Sequence, residues 1–539
     1  MNRIRVRVLL VTTWVVVVCC VNNAQLFAAS QPLFVDKPAI ELDPNLNTPL
    51  AALLTLSTDI PTRVSVSISN ERDKWQIDFK RLELQHALPI LGLIPDSTYT
   101  ITVHAKSKSG SEAIFKPDLS VTTDPLPKGF PTISAVGQAN KMEPGYTLFD
   151  VVPEGNNAEF GALLIIVDAQ GEVVWYQIGS RYLDVRQNAA GNLLYLQGNS
   201  AIEMDMLGNI IHEWRAAGNE KTKKGDGKVA AYVFHHELFP MVNGHYLAMS
   251  AELRAFENYP SSETDITAVK ASAYVVGDVI VEFAADGTTL KHWSLLDMLD
   301  PYRIGYGSLG PLWDDVYTGY KTRDWSHGNA VTHDPTDDSI LVMLRHQDAL
   351  VKFKRQSGQL IWILGPHENW QLEKWGKYLL TPKSLGQHKY FFAYHAHAHM
   401  VLPNGHILLY DNGNERASAF NPPVESSKNF SRAVEYVINE QTMEVDIAWE
   451  YGEHAQKQYF SSALGDADLL PRTGNVLITH GTLMDQKGKQ SARVIEVTHT
   501  TPANEVFNLS VTDLSNDPKN GWRVYRSERI PSLYTQKMD

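Results

Sequence analysis

Three histidines and one arginine, side chains able to hold an oxyanion and carry a transferred group, stand at corresponding places in a chain that repeats itself. His236 lies eight residues before Gly244 in His235-His-Glu-Leu-Phe-Pro-Met-Val-Asn-Gly244, and His397 lies eight before Gly405 in His397-Ala-His-Met-Val-Leu-Pro-Asn-Gly405. His327 fits the same slot once the turn at Asp334-Pro-Thr-Asp-Asp338 is given three extra residues. Arg345 follows His327 by eighteen residues, at the end of the apolar run 340–344. Neutral imidazole is a nucleophile and a proton carrier near neutral pH. Guanidinium offers donors in a fork that matches two oxygens of a tetrahedral anion. Asn329, two residues beyond His327, would share its face and donate one more hydrogen bond.

The same slot holds Leu183 and Asp466 in two further repeats. A purely structural position would keep one residue type; divergence toward polar groups is expected where strand ends line a common cavity. His395, His397 and His399 alternate, and on a strand all three would face one way, about 7 Å between neighbours. Alternate histidines also chelate zinc or copper, so a metal site completed by His236 and His327 stands beside the nucleophilic reading. Arg345 and the lack of a local acidic ligand weigh against the metal. Gly305-Tyr-Gly-Ser-Leu-Gly310 matches a dinucleotide fingerprint, but no βαβ unit surrounds it. No phosphate-binding Gly-x4-Gly-Lys loop and no Gly-x-Ser-x-Gly elbow occurs, so nucleotide donors and serine hydrolysis are unsupported. We expect no cofactor.

The elements that must position these residues are short strands. A turn followed by tryptophan recurs in Asp168-Ala-Gln-Gly-Glu-Val-Val-Trp175, Asp205 to Trp214, Asp286 to Trp293, Ser357 to Trp362 and Thr442 to Trp449, with a weaker sixth copy at Asn504-Glu-Val-Phe507. A second phrase marks another strand: Gly191-Asn-Leu-Leu, Gly244-His-Tyr-Leu, Gly405-His-Ile-Leu and Gly474-Asn-Val-Leu. Repeated strands with Gly and Asn turns read as propeller blades, and six phrases predict six of them, with an insertion at 254–323.

Ahead of the repeats, residues 30–125 read as a small β-sandwich. Val64-Ser-Val-Ser-Ile-Ser and Thr98-Tyr-Thr-Ile-Thr-Val alternate with period two, and Leu91 to Tyr99 resembles a fibronectin type III-like corner with Tyr99 as the corner tyrosine. The Pro-rich stretch 122–131 is the linker, and 132–539 is the propeller. The expected fold is therefore all-β: a six-bladed β-propeller preceded by a small N-terminal β-sandwich. Residues 1–29 read as a secretory signal, with Arg3, Arg5 and Arg7 before an apolar run and Ala28 and Ala29 after it. The run is short for a membrane span, so no membrane association is expected after cleavage. Cys19 and Cys20, the only cysteines, leave with the signal, which excludes thiol nucleophiles and disulfides from the mature protein. Loss of the three arginines takes the formal charge from −13 to −16, unsuited to general nucleic-acid binding. The oligomeric state is open, a homo-oligomer included.

At this point the motifs resemble a known family. Pro144-Gly-Tyr-Thr-Leu-Phe149, His235-His-Glu, Trp325-Ser-His-Gly-Asn-Ala-Val331, Leu344-Arg345 and His397-x7-Gly-x4-Tyr-Asp-Asn-Gly413 are similar, in order, to bacterial aryl-sulfate sulfotransferases. The resemblance implies an exported propeller enzyme moving a sulfuryl group from a phenolic sulfate ester to an acceptor phenol without nucleotide sulfate. It places the family's sulfated histidine at His397, and its sulfate-binding His, His, Asn and Arg at His236, His327, Asn329 and Arg345. Two features depart from the family: a disulfide found near the nucleophile in some members is absent, and a late-blade threonine is replaced by the serines of Tyr459-Phe-Ser-Ser-Ala-Leu464. A metal-dependent propeller hydrolase and a non-catalytic binding propeller remain the other readings.

Overall fold

The computed structural model describes residues 31–534 apart from 226, 456 and 457, so the signal segment lies outside the described residues. The N-terminal unit is one six-stranded sheet whose buried residues share a continuous apolar core with the sheets that follow. Strand Ala52–Ser69 pairs along its length with Lys74–Ile90 and, through its second half, with Thr98–Ser107. The alternating residues Val64, Val66 and Ile68 are fully buried on one face, as period two requires. Tyr99 fills the corner foreseen for it: its hydroxyl accepts the Ile94 N–H at 2.9 Å and the side chain is buried.

Six further sheets follow among the described residues, each built on four antiparallel strands. Their innermost strands are Leu183–Gln187, His235–Pro240, Gly328–Asp334, Ala398–Val401, Asp466–Leu469 and the C-terminal Gly521–Ile530. These touch one another in cyclic order, the last returning to the first, which is the propeller architecture. The ring is closed by both ends of the chain. Gly521–Ile530 becomes the inner strand of the sheet begun by Tyr146–Glu154, while Thr132–Gly137 pairs with the outer strand Glu505–Thr512 of the last sheet.

The recurring phrases have physical roles. Trp175, Trp214, Trp362 and Trp449 sit on outermost strands, and their indole N–H groups donate to the next sheet, at Met206 O, Ala285 O, Glu440 Oε1 and Thr500 O. A buried aromatic with one satisfied polar end latches each of these four sheets to its neighbour. The glycine phrases mark tight turns after inner strands, with φ of 80° at Gly191, 81° at Gly244 and 82° at Gly405, where a side chain would be strained. The insertion lengthens the hairpin of Tyr246–Tyr259 and Ala271–Phe283 and adds a loop that returns over the ring's mouth. The N-terminal unit packs against the ring's first sheets: Asn45 donates to Leu207 O, and Tyr534 near the C-terminus contacts Leu91.

Candidate active site

The beginnings of neighbouring inner strands bring the singled-out histidines together. His236 is the second residue of its strand, while His327 and His397 immediately precede theirs. Ring centroids of His236 and His327 are 5.2 Å apart, and those of His236 and His397 are 6.4 Å apart. Arg345 opens a short 3-10 turn where Ser339–Leu344 ends, and its N–H donates to His327 O at 3.2 Å. Its guanidinium is held by His395 O and Ser462 O, both at 2.9 Å. The late-blade serine segment thus reaches the site through a carbonyl.

The backbone here is under tension. His236, His327 and His395 adopt φ of 58°, 45° and 52°, left-handed values that non-glycine residues rarely take. Each is pinned by a carboxylate from the preceding sheet. Asp184 accepts Leu238 N–H at 2.8 Å, Asp278 accepts Gly328 N–H at 2.6 Å, and Asp348 accepts His395 N–H at 2.9 Å. Strain held this way fixes where the imidazoles point.

Proton positions follow from the partners. His397 Nδ1 faces the carbonyl of Gly465 at 2.9 Å, so Nδ1 carries the hydrogen and Nε2 keeps its lone pair. Burial, then the charges of Arg526 and Arg345, hold His397 well below the ordinary histidine range, so it is neutral. His327 Nδ1 lies 2.5 Å from Asp324 Oδ2, and Trp313 Nε1 donates to the other oxygen at 2.9 Å. Burial pushes the Asp324 carboxyl up, but His327 and His346 outweigh it and bring it to about 2. Arg345 is drawn down to about 10 by burial, against the pull of Glu415, Asp348 and Asp324, and stays cationic at neutral pH.

The structure corrects one expectation. His395, His397 and His399 do not share a face, because the strand begins only at Ala398 and His395 is left-handed. Instead, His395 Nε2 donates to Tyr306 O, His397 turns to Gly465, and His399 Nε2 meets Thr332 Oγ1. They therefore form no common metal face. Asn329 is fully buried, and its amide donates to Ala396 O at 3.0 Å. That bond braces the backbone beside His397. A different trio, Asp324, His327 and His346, places possible metal-ligand atoms within 4.8 Å of one another. Here Nδ1 of His327 is bonded to the Asp324 carboxylate and Nδ1 of His346 to the Asp324 carbonyl at 2.8 Å, an arrangement of hydrogen-bonded imidazoles.

Several residues at the site carried no sequence signal of their own. Asp324, three residues before His327, backs its ring; His346 packs on that ring at 4.5 Å. Tyr525 lies 5.0 Å from the His397 ring and donates its hydroxyl to His236 O, and Arg526 ties the strands beneath. The glycine string 305–310 also finds its reason here. A Cβ on Gly307 (φ 88°) would stand 2.5 Å from His346 Nε2, so glycine lets this loop lie on the ring that supports His327. Gly307→Ala should shift His346 and with it His327, lowering turnover by about 10²-fold while circular dichroism stays unchanged. Unaltered turnover would show that the loop does not position His327.

Comparison with known proteins gives the family. Residues 121–526 match the family described as Arylsulfotransferase (ASST), and residues 39–124 match the Arylsulfotransferase Ig-like domain. Arylsulfate sulfotransferase AssT of Escherichia coli O6:H1 (strain CFT073) is 23% identical over 514 residues, spanning 78% of this chain and 81% of that protein. The protein of the same name from Lelliottia amnigena is 22% identical over 516 residues, with the same coverage. Among solved structures, the β-propeller domain of Myceliophteria thermophila Cps50 (Swd1) aligns with 11% identity and a TM-score of 0.29, covering 68% of this chain and 99% of that one.

Proposed function

The chain belongs to the arylsulfotransferase family, a family of sulfotransferase enzymes, and from that premise we propose that it works by a ping-pong route through a sulfohistidine at His397. One observation carries the proposal: the Gly465 carbonyl holds the His397 hydrogen on Nδ1, leaving Nε2 free beside His236, His327 and Arg345. Sulfuryl transfer resembles phosphoryl transfer, with a loose in-line transition state and charge on the peripheral and leaving oxygens. Arg345 and His327 supply donors already oriented for that charge, and His236 lies beside them.

In the first half-reaction, His397 Nε2 forms a bond to sulfur as the S–O bond to the donor phenol breaks. The departing phenolate takes a proton from His327, whose cationic form the Asp324 carboxylate stabilises. In the second, the acceptor phenol attacks sulfur, returns its proton to His327 Nε2, and the N–S bond breaks. The donor is thus an aryl sulfate ester and the acceptor a phenol. Asn329 holds the Ala396 carbonyl and so keeps the His397 backbone in register with this path. The signal-like pattern of residues 1–29 supports residence in the periplasm.

The test is the intact mass of the protein mixed with 4-nitrophenyl sulfate. A gain of one SO3 unit is expected, discharged as a sulfated phenol when phenol is added, and unaffected by a chelator. Release of free sulfate with chelator sensitivity would favour a metal-dependent hydrolase built on Asp324, His327 and His346. Neither consumption nor adduct would reduce the protein to a binding module.

A further inference from the structure

Asp278 serves two of the site's histidines at once, although it lies 42 residues from one and 49 from the other. Its Oδ2 accepts Gly328 N–H at 2.6 Å and the Ser326 hydroxyl at 2.5 Å, the residues on either side of His327. Its Oδ1 lies 3.4 Å from His235 Nε2, a charge contact and not a hydrogen bond. His235 Nδ1 in turn lies 2.9 Å from His236 Nδ1. Two ring nitrogens at that distance need one donor and one acceptor. The negative charge beside Nε2 favours the His235 hydrogen there, in which case His235 Nδ1 accepts and His236 Nδ1 donates. His236 Nε2 is then left with a lone pair.

A sulfuryl group presents only acceptor oxygens, and a lone pair repels them. His236 can hold such a group only after gaining a second proton. In the empty site burial opposes that charge most, followed by His235, His327, His397 and Arg526, while Tyr525 offers no anion to offset it. The entering anion compensates for the cations, and Asp278, acting through His235, stabilises the new charge from behind. We propose that Asp278 and His235 form a relay through which His236 takes up a proton as the sulfuryl anion enters, making anion binding and protonation a single event. Asp278 and His235 are positioning residues, since neither touches the substrate. The inference rests on the pocket being a site for aryl sulfate, and its test is separate from the test of covalent transfer.

Transfer is first blocked with His397→Ala, and 4-nitrophenyl sulfate is titrated calorimetrically at neutral pH in two buffers of different protonation heat. Uptake of about one proton per bound ester is expected. Adding Asp278→Asn keeps an acceptor oxygen for Gly328 and Ser326 but turns an N–H2 toward His235. Adding His235→Phe instead leaves the Asp278 clamp in place and cuts the relay. Both should abolish the uptake and weaken ester binding about tenfold, as a neutral His236 donor replaces a charged one. Persistence of the uptake in both variants overturns the relay, as does its absence in the single variant. Nitrogen-15 NMR of the ligand-free, His397-intact enzyme gives a second reading that needs no binding. His236 should be protonated at Nδ1, and at Nε2 in Asp278→Asn; protonation at Nε2 in the unaltered enzyme overturns the proposal. Proton uptake with no SO3 gain in the unaltered enzyme would keep the relay and reject the sulfohistidine.

Discussion

His397→Asn should lower turnover by about 10⁴–10⁶-fold and abolish the SO3 mass gain, while donor affinity changes by no more than about tenfold. The loss corresponds to about 5–8 kcal/mol of barrier, the size expected when a covalent route is removed. Asparagine is chosen because its amide N–H can still reach the Gly465 carbonyl that the imidazole Nδ1 now occupies. The variant therefore keeps the local hydrogen bond and loses the nucleophilic lone pair. Arg345, His236 and His327 are untouched, so binding of the ester survives as the separate observable. Rapid quench with labelled donor reads both quantities: no protein-bound label, and a normal Michaelis complex by competition. Turnover close to that of the unaltered enzyme would sink the covalent role of His397 and leave direct transfer between the two phenols.

How much of this was legible in the sequence depends on whether a residue's job was local. The tryptophan and glycine phrases were legible because each performs the same task in its own sheet, latching to the next one or closing a turn. The slot before the turn glycine was legible for the same reason, since every inner strand starts there, and the chain puts His236, His327 and His397 side by side. The alternation of His395, His397 and His399 misled because period two holds only inside a strand, and this strand starts at Ala398. Asn329 was found but its partner was not, as the Ala396 carbonyl comes from another sheet. Asp278 and Asp324 lie in ordinary-looking strands and act on rings brought to them by closure of the ring. Tyr525 and Arg526 escaped altogether: they sit on the C-terminal strand, whose partner Tyr146–Glu154 lies more than 360 residues earlier, in the first repeat.

Arg526→Met should cost about 3–5 kcal/mol of stability and most of the activity. The side chain is only 5% exposed and joins four neighbouring sheets to its own. Nη1 donates to Asp184 at 2.8 Å, Nη2 to Glu237 at 3.2 Å and to Asn329 O at 3.0 Å, and Nε lies 3.8 Å from Asp466. Methionine matches the apolar stem but leaves Asp184 and Glu237 buried with Arg186 as their remaining close cation. Glu237 also accepts Val331 N–H at 2.8 Å, and Asn329 braces the backbone of His397, so their displacement reaches the imidazoles directly. The deficit should depend on pH with a definite sign. Burial pushes Glu237 up, but Arg526 and Arg186 outweigh it and hold the carboxyl at about 2. A depressed carboxyl contributes stability above its unfolded pKa, and that contribution is lost as pH falls toward the folded value. In the variant, burial is less opposed, so Glu237 can fold protonated as the solution is acidified. The gap in thermal midpoint between the two proteins should therefore be widest near pH 7 and narrow toward pH 3. A gap that widens on acidification would mean that Arg526 stabilises the ring by packing and not by holding these carboxylates. Arg526→Lys separates charge from geometry: a point charge can neutralise the carboxylates but cannot reach Asp184, Glu237 and Asn329 O together, so stability should recover further than turnover.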